Sequence, residues 1–288
     1  MLLDRTKRGQ IITFLQNSKG EGEKPLLCIC LFELYILITI RAVMETKILV
    51  IVYASFFAAA FIKGATGLGF VSLCLPVISS FIDIRTAIPL VILPSLLSNV
   101  MLIAETKRFN ESMHRFWLLY LSAFPGLYAG ISLLQHAGNT PAKIVLGAVS
   151  IAYAIFLLFR IEFTISREVE RRITIPVGLT NGFLNGFTGT QVMPILPYLI
   201  ALDLDRRLLI SAINLGFTFS TLVLLIFLNR FDFLSAGILK SSIAGVVPVV
   251  VGIYLGGKVR HRLSDDRFRI AILLILMVIG INLIITSD

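Results

Sequence analysis

Charged residues are scarce in this sequence. Only 15% of its 288 residues are charged, whereas 57% are hydrophobic, and the mean hydropathy is +0.90. A soluble domain of this length needs far more polar surface. The composition therefore excludes a soluble globular protein and predicts an integral membrane protein.

Residues suited to catalysis or metal binding are also few. The chain has three cysteines and three histidines. Cys28, Cys30 and Cys74 lie in apolar surroundings, which argues against a disulfide framework or a cysteine-based metal site. The histidines fall between the apolar runs, and no Gly-x-Ser-x-Gly, His-x-x-Glu-His or phosphate-loop pattern is present. We therefore expect no enzyme activity, no metal and no cofactor.

Acidic residues are outnumbered by basic ones. The chain has 26 Lys and Arg against 17 Asp and Glu, a formal net charge of +9. The basic residues form short clusters between apolar spans, which is not the pattern of a nucleic-acid-binding surface. Positive loops that stay in the cytoplasm explain the excess.

Long apolar runs fill most of the chain. After a polar start, residues 26–40 form a short apolar run that contains Glu33. The predicted spans that follow are residues 48–62, 68–82, 86–104, 116–134, 142–159, 173–202 with a break near 185–189, 208–228, 233–257 and 270–285. A membrane core about 30 Å thick needs about 20 helical residues, so residues 68–82 are too short to cross it comfortably alone. The predicted fold class is an all-α polytopic membrane protein.

The two halves of the chain repeat each other. Three pairs of segments match: 61–67 with 183–189 and 83–85 with 205–207 at an offset of 122 residues, and 126–130 with 252–256 at an offset of 126. Glycine, threonine and aspartate recur within these pairs at the same positions. The matches predict an internal duplication.

Basic residues indicate how the repeats are oriented. They cluster at 107–115, 160–172 and 258–269, whereas residues 135–141 carry no Lys or Arg. Suppose that each half begins with a glycine-broken pair of short helices that enters and leaves the membrane on the same face, and continues with three spanning helices. All three clusters then lie on one side of the membrane. The positive-inside rule places that side in the cytoplasm. The odd number of crossings then predicts two inverted repeats, an architecture common in secondary transporters.

This arrangement divides the chain into four parts. They are an N-terminal extension (1–43), a first transmembrane repeat (44–160), a basic cytoplasmic linker (161–172) and a second transmembrane repeat (173–288). The extension is expected to be an uncleaved extra helix or a result of start-site choice, since Met44 offers a second start. A signal peptide is disfavoured because no small-residue cleavage site follows the apolar run.

The break in the first half carries the main functional signal. Lys63 lies beside Gly64, Gly67 and Gly69, with Thr66 between them. A charge at mid-bilayer costs about 2.5–3.5 kcal/mol unless it has a partner. The glycines let one helix end and another begin near mid-membrane, where the free N–H groups of the second helix favour an anion. We predict that this break binds an anionic substrate.

The equivalent break in the second half supplies Asn185, Gly186, Thr188, Gly189 and Gln191. Asn185 stands where the first half has Lys63, and Gln191 stands where it has Gly69, so only the first break carries a charge. Asn99 lies in the third apolar span of the first half and Asn214 in the equivalent span of the second, and each either joins the site or links helices. The alternative for the whole pattern is that the glycines permit close helix packing and Lys63 reaches an interface.

The segments around the two breaks resemble sequences of the sulfite exporter TauE/SafE family. The likeness covers about residues 48–285, and its most specific parts are KGATGLGFVSLCLP, from Lys63, and NGFTGTQVMPILP, from Asn185. The resemblance implies a polytopic permease for small anions, often sulfur oxyanions or organosulfur acids.

The predicted function is a secondary transporter (permease) that moves small anions, such as sulfur oxyanions, organosulfonates or organic acids, by alternating access. An anion channel is the alternative, and saturable, gradient-coupled flux in liposomes distinguishes the two. The expected partners are the anionic substrate, the lipid bilayer and a coupling ion, either a proton or sodium, with no nucleic acid. The expected location is the bacterial inner membrane.

Overall fold

The computed structural model describes residues 46–159, 163–259 and 266–287. The first 50 residues form a unit of their own, of which the described part, residues 46–50, is the first turn of a helix. The N-terminal extension and its candidate extra helix lie outside the described residues.

All regular secondary structure in these ranges is α-helical. The helices are α1 Thr46–Thr66, α2 Phe70–Ser79, α3 Ile84–Thr106, α4 Phe109–Ala137, α5 Asn139–Leu158, α6 Arg167–Thr188, α7 Ile195–Ile200, α8 Arg206–Arg230, α9 Ala236–Ala244, α10 Val246–Val259 and α11 Asp266–Ile285. Within the described residues, six segments are long and apolar enough to cross a membrane: α1, α3, α4, α5, α8 and α9 together with α10. The protein is therefore an integral multi-pass membrane protein, as predicted.

Two equivalent aspartates begin α3 and α8. Asp83 Oδ1 accepts a hydrogen bond from the Arg85 N–H at 2.7 Å, and Asp205 Oδ1 accepts one from the Arg207 N–H at 3.0 Å. These bonds satisfy N–H groups that a helix start leaves unpaired. The repeated Asp-x-Arg segment is thus a helix-start signal.

The helices α3 and α8 run in opposite directions. At the start of α3, an Arg85 guanidinium nitrogen (Nη2) donates to the Leu134 carbonyl oxygen at 2.9 Å, near the end of α4. Beyond the other end of α3, Arg108 pairs with Asp205, where α8 begins. Ring contacts then keep α8 alongside α4, from Tyr120 with Phe219 to Tyr128 with Phe227 and Phe231. Because α8 runs with α4 and α3 runs against it, the two equivalent helices are antiparallel.

Glycine contacts between the halves occur in reciprocal pairs. A Cβ at Gly130 would lie 2.2 Å from the Phe183 carbonyl oxygen, and one at Gly256 would lie 2.0 Å from the Phe61 carbonyl oxygen. Gly130 and Gly256 differ by the offset of 126, and Phe61 and Phe183 by 122. Reciprocal contacts of this kind are what a two-fold axis between two similar units produces. They pack α6 of the second half on α4 of the first, and α1 of the first half on α10 of the second.

The helix before each break is longer than predicted. The prediction was a pair of short helices, but α1 has 21 residues and α6 has 22. The helix α6 starts at Arg167 because Ser166 caps it, its hydroxyl accepting from the Val169 N–H at 3.4 Å. Residues 167–172 of the predicted linker therefore form the first turns of a helix. In the second half, the chain after the break returns to the end of the bundle where α6 begins. The Ile165 N–H, just before α6, donates to the carbonyl oxygen of Ala201, just after α7, at 3.0 Å.

The breaks do not meet at the middle of the membrane. A Cβ at Gly67 would lie 2.9 Å from Ile210 Cδ1, and one at Gly189 would lie 2.8 Å from Ile88 Cγ1. Ile210 and Ile88 each lie four residues inside the start of α8 or α3, about 6 Å along a helix that rises 1.5 Å per residue. Since these helices are antiparallel, the breaks lie near opposite ends of the bundle. The predicted mid-membrane breaks are wrong, because α1 and α6 are long enough to cross most of the thickness.

Candidate functional site

Both breaks end their helices in the same way. Gly67 has a φ of +93° and Gly189 a φ of +77°, in the left-handed region that favours glycine. Their N–H groups donate to the carbonyl oxygens of Lys63 at 2.7 Å and Asn185 at 2.8 Å. These bonds close the last turn of each helix. Gly69, which precedes α2, is also left-handed, with a φ of +94°.

The two threonines of the breaks turn back toward the helices they end. Thr66 Oγ1 donates to the Ile62 carbonyl oxygen at 2.9 Å, and Thr188 Oγ1 donates to that of Leu184 at 2.7 Å. Each hydroxyl also accepts from the N–H two residues on, at 3.3 Å. The prediction placed both threonines in the substrate-binding breaks. Their observed bonds stabilise the break itself.

The helix starts after the breaks differ between the halves. The helix α2 begins at Phe70, directly after Gly69, with no side-chain cap. The helix α7 begins only at Ile195 and has six residues. The predicted helix N-terminus at Gly189–Gln191 is therefore absent, because residues 189–194 are irregular. The Asn181 amide faces this segment, and its nitrogen, in the orientation that satisfies both amide atoms, donates to the Gln191 carbonyl oxygen at 2.9 Å and to that of Met193 at 3.1 Å.

Lys63 forms a buried polar cluster with α3. Its side chain is 2% exposed, and Lys63 is the only charged residue that is buried among those described. Its Nζ donates to Ser98 Oγ at 3.0 Å and to Asn99 Oδ1. Both acceptors are neutral, and an ammonium has a third N–H to donate. Asn99 Nδ2, on the same amide that accepts from Lys63, is buried without a partner in the described structure.

The second half carries a neutral counterpart of this cluster. Asn185, equivalent to Lys63, is fully buried, and neither of its amide atoms has a partner in the described part of the chain. Gln191 Nε2 donates to Thr221 Oγ1 at 2.9 Å, and Gln191 Oε1 is unpartnered there. Thr221 stands 122 residues after Asn99, so the two clusters use equivalent positions on α3 and α8.

The two clusters lie at different depths. Asn99 is 15 residues from the start of α3, and Thr221 is 15 residues from the start of α8. In antiparallel helices of 23 and 25 residues, these positions fall on opposite sides of the middle, each by a few residues. A rise of 1.5 Å per residue separates them by roughly 10 Å along the helices. Lys63 and Gln191 therefore belong to two separate polar clusters, whereas the prediction placed them in one cavity.

Other predicted site residues have packing roles. A Cβ at Gly64 would lie 2.4 Å from the Ile253 carbonyl oxygen, and one at Gly186 would lie 2.3 Å from that of Leu127. These glycines let helices approach closely. Asn214 Nδ2 donates to the Gly67 carbonyl oxygen at 3.2 Å and so ties α8 to the first break, while its Oδ1 has no partner among the described residues.

Two members of the clusters were not predicted. Ser98 is next to Asn99 in sequence, but a serine in an apolar helix usually bonds its own backbone, as Ser98 Oγ also does to the Ser95 carbonyl oxygen at 2.7 Å. Thr221 had a usable signal, because the offset of 122 links it to Asn99. Within the described ranges, no group of three or more His, Cys, Asp or Glu side chains is placed to hold a metal ion.

The comparison with known families agrees with this architecture. The sequence profile described as "Sulfite exporter TauE/SafE" matches residues 52–283, which include every helix from α2 to α10 and both breaks. No curated protein and no solved structure matches the chain. Because the match covers most of the 288 residues, the chain belongs to the sulfite exporter TauE/SafE family, whose members are membrane transporters of sulfur anions.

Proposed function

We propose that this protein is a secondary transporter that moves small sulfur oxyanions or organosulfonates by alternating access. Lys63 and Asn99 are the proposed primary contacts of the anion. Asn185 and Gln191 form a second, neutral station on the same path. The two halves are proposed to be inverted repeats, which the antiparallel course of α3 and α8 supports.

The proposal rests chiefly on the buried ammonium of Lys63. A buried charge without a counter-charge is costly, and its two acceptors, Ser98 and Asn99, are neutral. Hydrogen bonds to a charged group contribute about 1.5–3 kcal/mol each, so two of them offset part of that cost. An anion that enters beside Lys63 supplies the missing counter-charge.

The free donors favour an oxyanion as the substrate. The third N–H of Lys63 and the unpartnered Nδ2 of Asn99 lie on groups already bonded to each other. A sulfonate or sulfite group presents several oxygen acceptors on one face and can accept from both donors at once. A spherical anion such as chloride uses such a pair less well. A small organic acid is the second substrate class that the donor pair admits.

The two depths of the polar clusters support alternating access. The charged station lies past the middle of the bundle toward the start of α8, and the neutral station lies past it toward the start of α3. Lys63 is almost completely buried in the conformation described. Access to either side therefore requires movement of helices, as a gated carrier does.

Flux measurements in proteoliposomes test this function. Radiolabelled sulfite, sulfate, thiosulfate, sulfoacetate and lactate are supplied one at a time, with and without a proton or sodium gradient. We expect saturable uptake of a sulfur anion that an unlabelled excess suppresses. Flux that rises linearly with concentration and follows only the membrane potential would instead identify an anion channel.

A further inference from the structure

A basic cavity lies between α4 and α6, away from Lys63. It has a volume of about 480 Å³ and is lined by Arg115, Trp117, Leu118, Arg167, Glu170, Arg171 and Thr174. These residues come from the first turns of both helices. The same turns belong to the basic clusters that the charge pattern assigns to the cytoplasmic side.

The arginines of this cavity exceed its acidic groups. Arg115 pairs with Glu170 at 3.4 Å. Arg167 and Arg171 have no ion-pair partner in the part of the chain that the structure describes, and both are exposed. The cavity therefore has two uncompensated positive charges. Guanidinium groups bind phosphate oxygens in a bidentate manner, which makes an anionic phosphate a suitable ligand.

The surface beside the cavity is apolar and exposed. Trp117 is 53% exposed, and Leu121 lies one helical turn further along α4. On α6, the exposed residues Ile175 and Leu179 follow Arg171 by about one and two helical turns. Tryptophan is typical of the level of lipid headgroups. A ligand with a phosphate in the cavity and acyl chains along these residues meets complementary surfaces at both ends.

We propose that this cavity binds the headgroup of an anionic phospholipid. The phosphate lies between Arg167 and Arg171, and Trp117 packs against the upper part of the acyl chains. The site is separate from the transport path and does not depend on the identity of the transported anion. An anionic lipid there links α4 to α6, the pair whose glycines pack one half of the protein on the other.

The chain contains a single tryptophan, so Trp117 reports on this site alone. The purified full-length protein is reconstituted in mixed phosphatidylcholine and phosphatidylglycerol vesicles, with phosphatidylglycerol as the minor lipid. In one set the phosphatidylglycerol chains are brominated, and in the other the phosphatidylcholine chains. Bromine quenches tryptophan fluorescence on contact. If each free arginine enriches the anionic lipid about fivefold at the site, brominated phosphatidylglycerol should quench Trp117 severalfold more than its share of the bulk lipid predicts.

The variants Arg167→Ala and Arg171→Ala should each lower this preference, and the double variant should reduce it to the bulk ratio. Arg172→Ala is the matched control, since Arg172 is next to Arg171 but is paired with Glu168 at 2.6 Å. Quenching that follows the bulk lipid ratio in the unmodified protein would overturn the proposal. An equal effect of Arg172→Ala would also overturn it, because that outcome would mean that surface charge in general, and not this cavity, attracts the lipid. Displacement of the lipid by millimolar inorganic phosphate would assign the cavity to a soluble anion instead.

Discussion

Asn99 on α3 accepts a hydrogen bond from the ammonium of Lys63 on α1 through its amide oxygen, and its amide nitrogen is left buried without a partner in the described structure. One amide thus positions the buried charge and also offers a donor beside it. The predictions about substrate binding follow from this pair.

Replacing the ammonium tests the charge directly. Lys63→Met keeps most of the length of the side chain but removes the positive charge and its hydrogen bonds. Since a bond to a charged group contributes about 1.5–3 kcal/mol, the apparent affinity for the transported anion should fall by about tenfold or more. Concentration-dependent uptake in proteoliposomes measures this change. Lys240→Met is the control, because Lys240 is exposed; a normal affinity in Lys63→Met would remove Lys63 from the site.

A carboxylate in place of the amide should compete with the substrate. Asn99→Asp gives Lys63 an internal counter-charge and takes away the Nδ2 donor. The incoming anion must then displace a bound carboxylate and approach a site of zero net charge. We expect a larger loss of affinity than Asn99→Ala produces, with no loss of thermal stability. A smaller loss in Asn99→Asp than in Asn99→Ala would show that Asn99 acts only by packing, because aspartate has nearly the same shape as asparagine.

Substitution of the break glycines should abolish transport. Gly67→Val and Gly189→Val place a β-branched residue at a left-handed φ, which costs about 1–2 kcal/mol before any contact is counted. The new Cβ also meets Ile210 or Ile88 at under 3 Å. Uptake rates, with expression level as the check, measure the effect. Gly257→Ala is the control, since Gly257 is helical and has nothing within 4 Å of an added Cβ, and it should transport normally.

Labelling of single cysteines tests the orientation of the repeats. In a background without Cys28, Cys30 and Cys74, a membrane-impermeant maleimide should label His136→Cys and Asn229→Cys from outside intact cells. Asn110→Cys and Glu168→Cys should react only after the membrane is opened. Labelling of Asn110→Cys and Asn229→Cys from the same side of the membrane would contradict the inverted arrangement.

The sequence predicted the polytopic fold and the polar character of the breaks, because both are local properties. Length and hydropathy suffice for spans, and the position of Lys63 in an apolar run already indicates a buried charge. The repeat offsets also carried three-dimensional information, since Gly130 and Gly256 turn out to make equivalent contacts.

The depth of the breaks was not predictable in the same way. It depends on where α1 and α6 begin, and the polar first turns of α6, with Glu168 and Glu170, hide its start from a hydropathy pattern. The partners of Lys63 depend on how α1 and α3 cross, which no spacing along the chain specifies. The separation of Lys63 from Gln191 follows from these two facts together.

The reciprocal glycine contacts also have a consequence for biogenesis. The glycine-bearing face that packs against α1 belongs to α10, whose Gly252 and Gly256 are translated 195 residues after Phe57 and Phe61, the residues of α1 that they contact. The ribosome has therefore nearly finished the chain before α1 acquires this glycine-bearing partner. Until then α1 has only the neighbours that precede α10, such as α3 through Lys63 and Asn99, so a truncated message should yield a first half that inserts but is soon degraded.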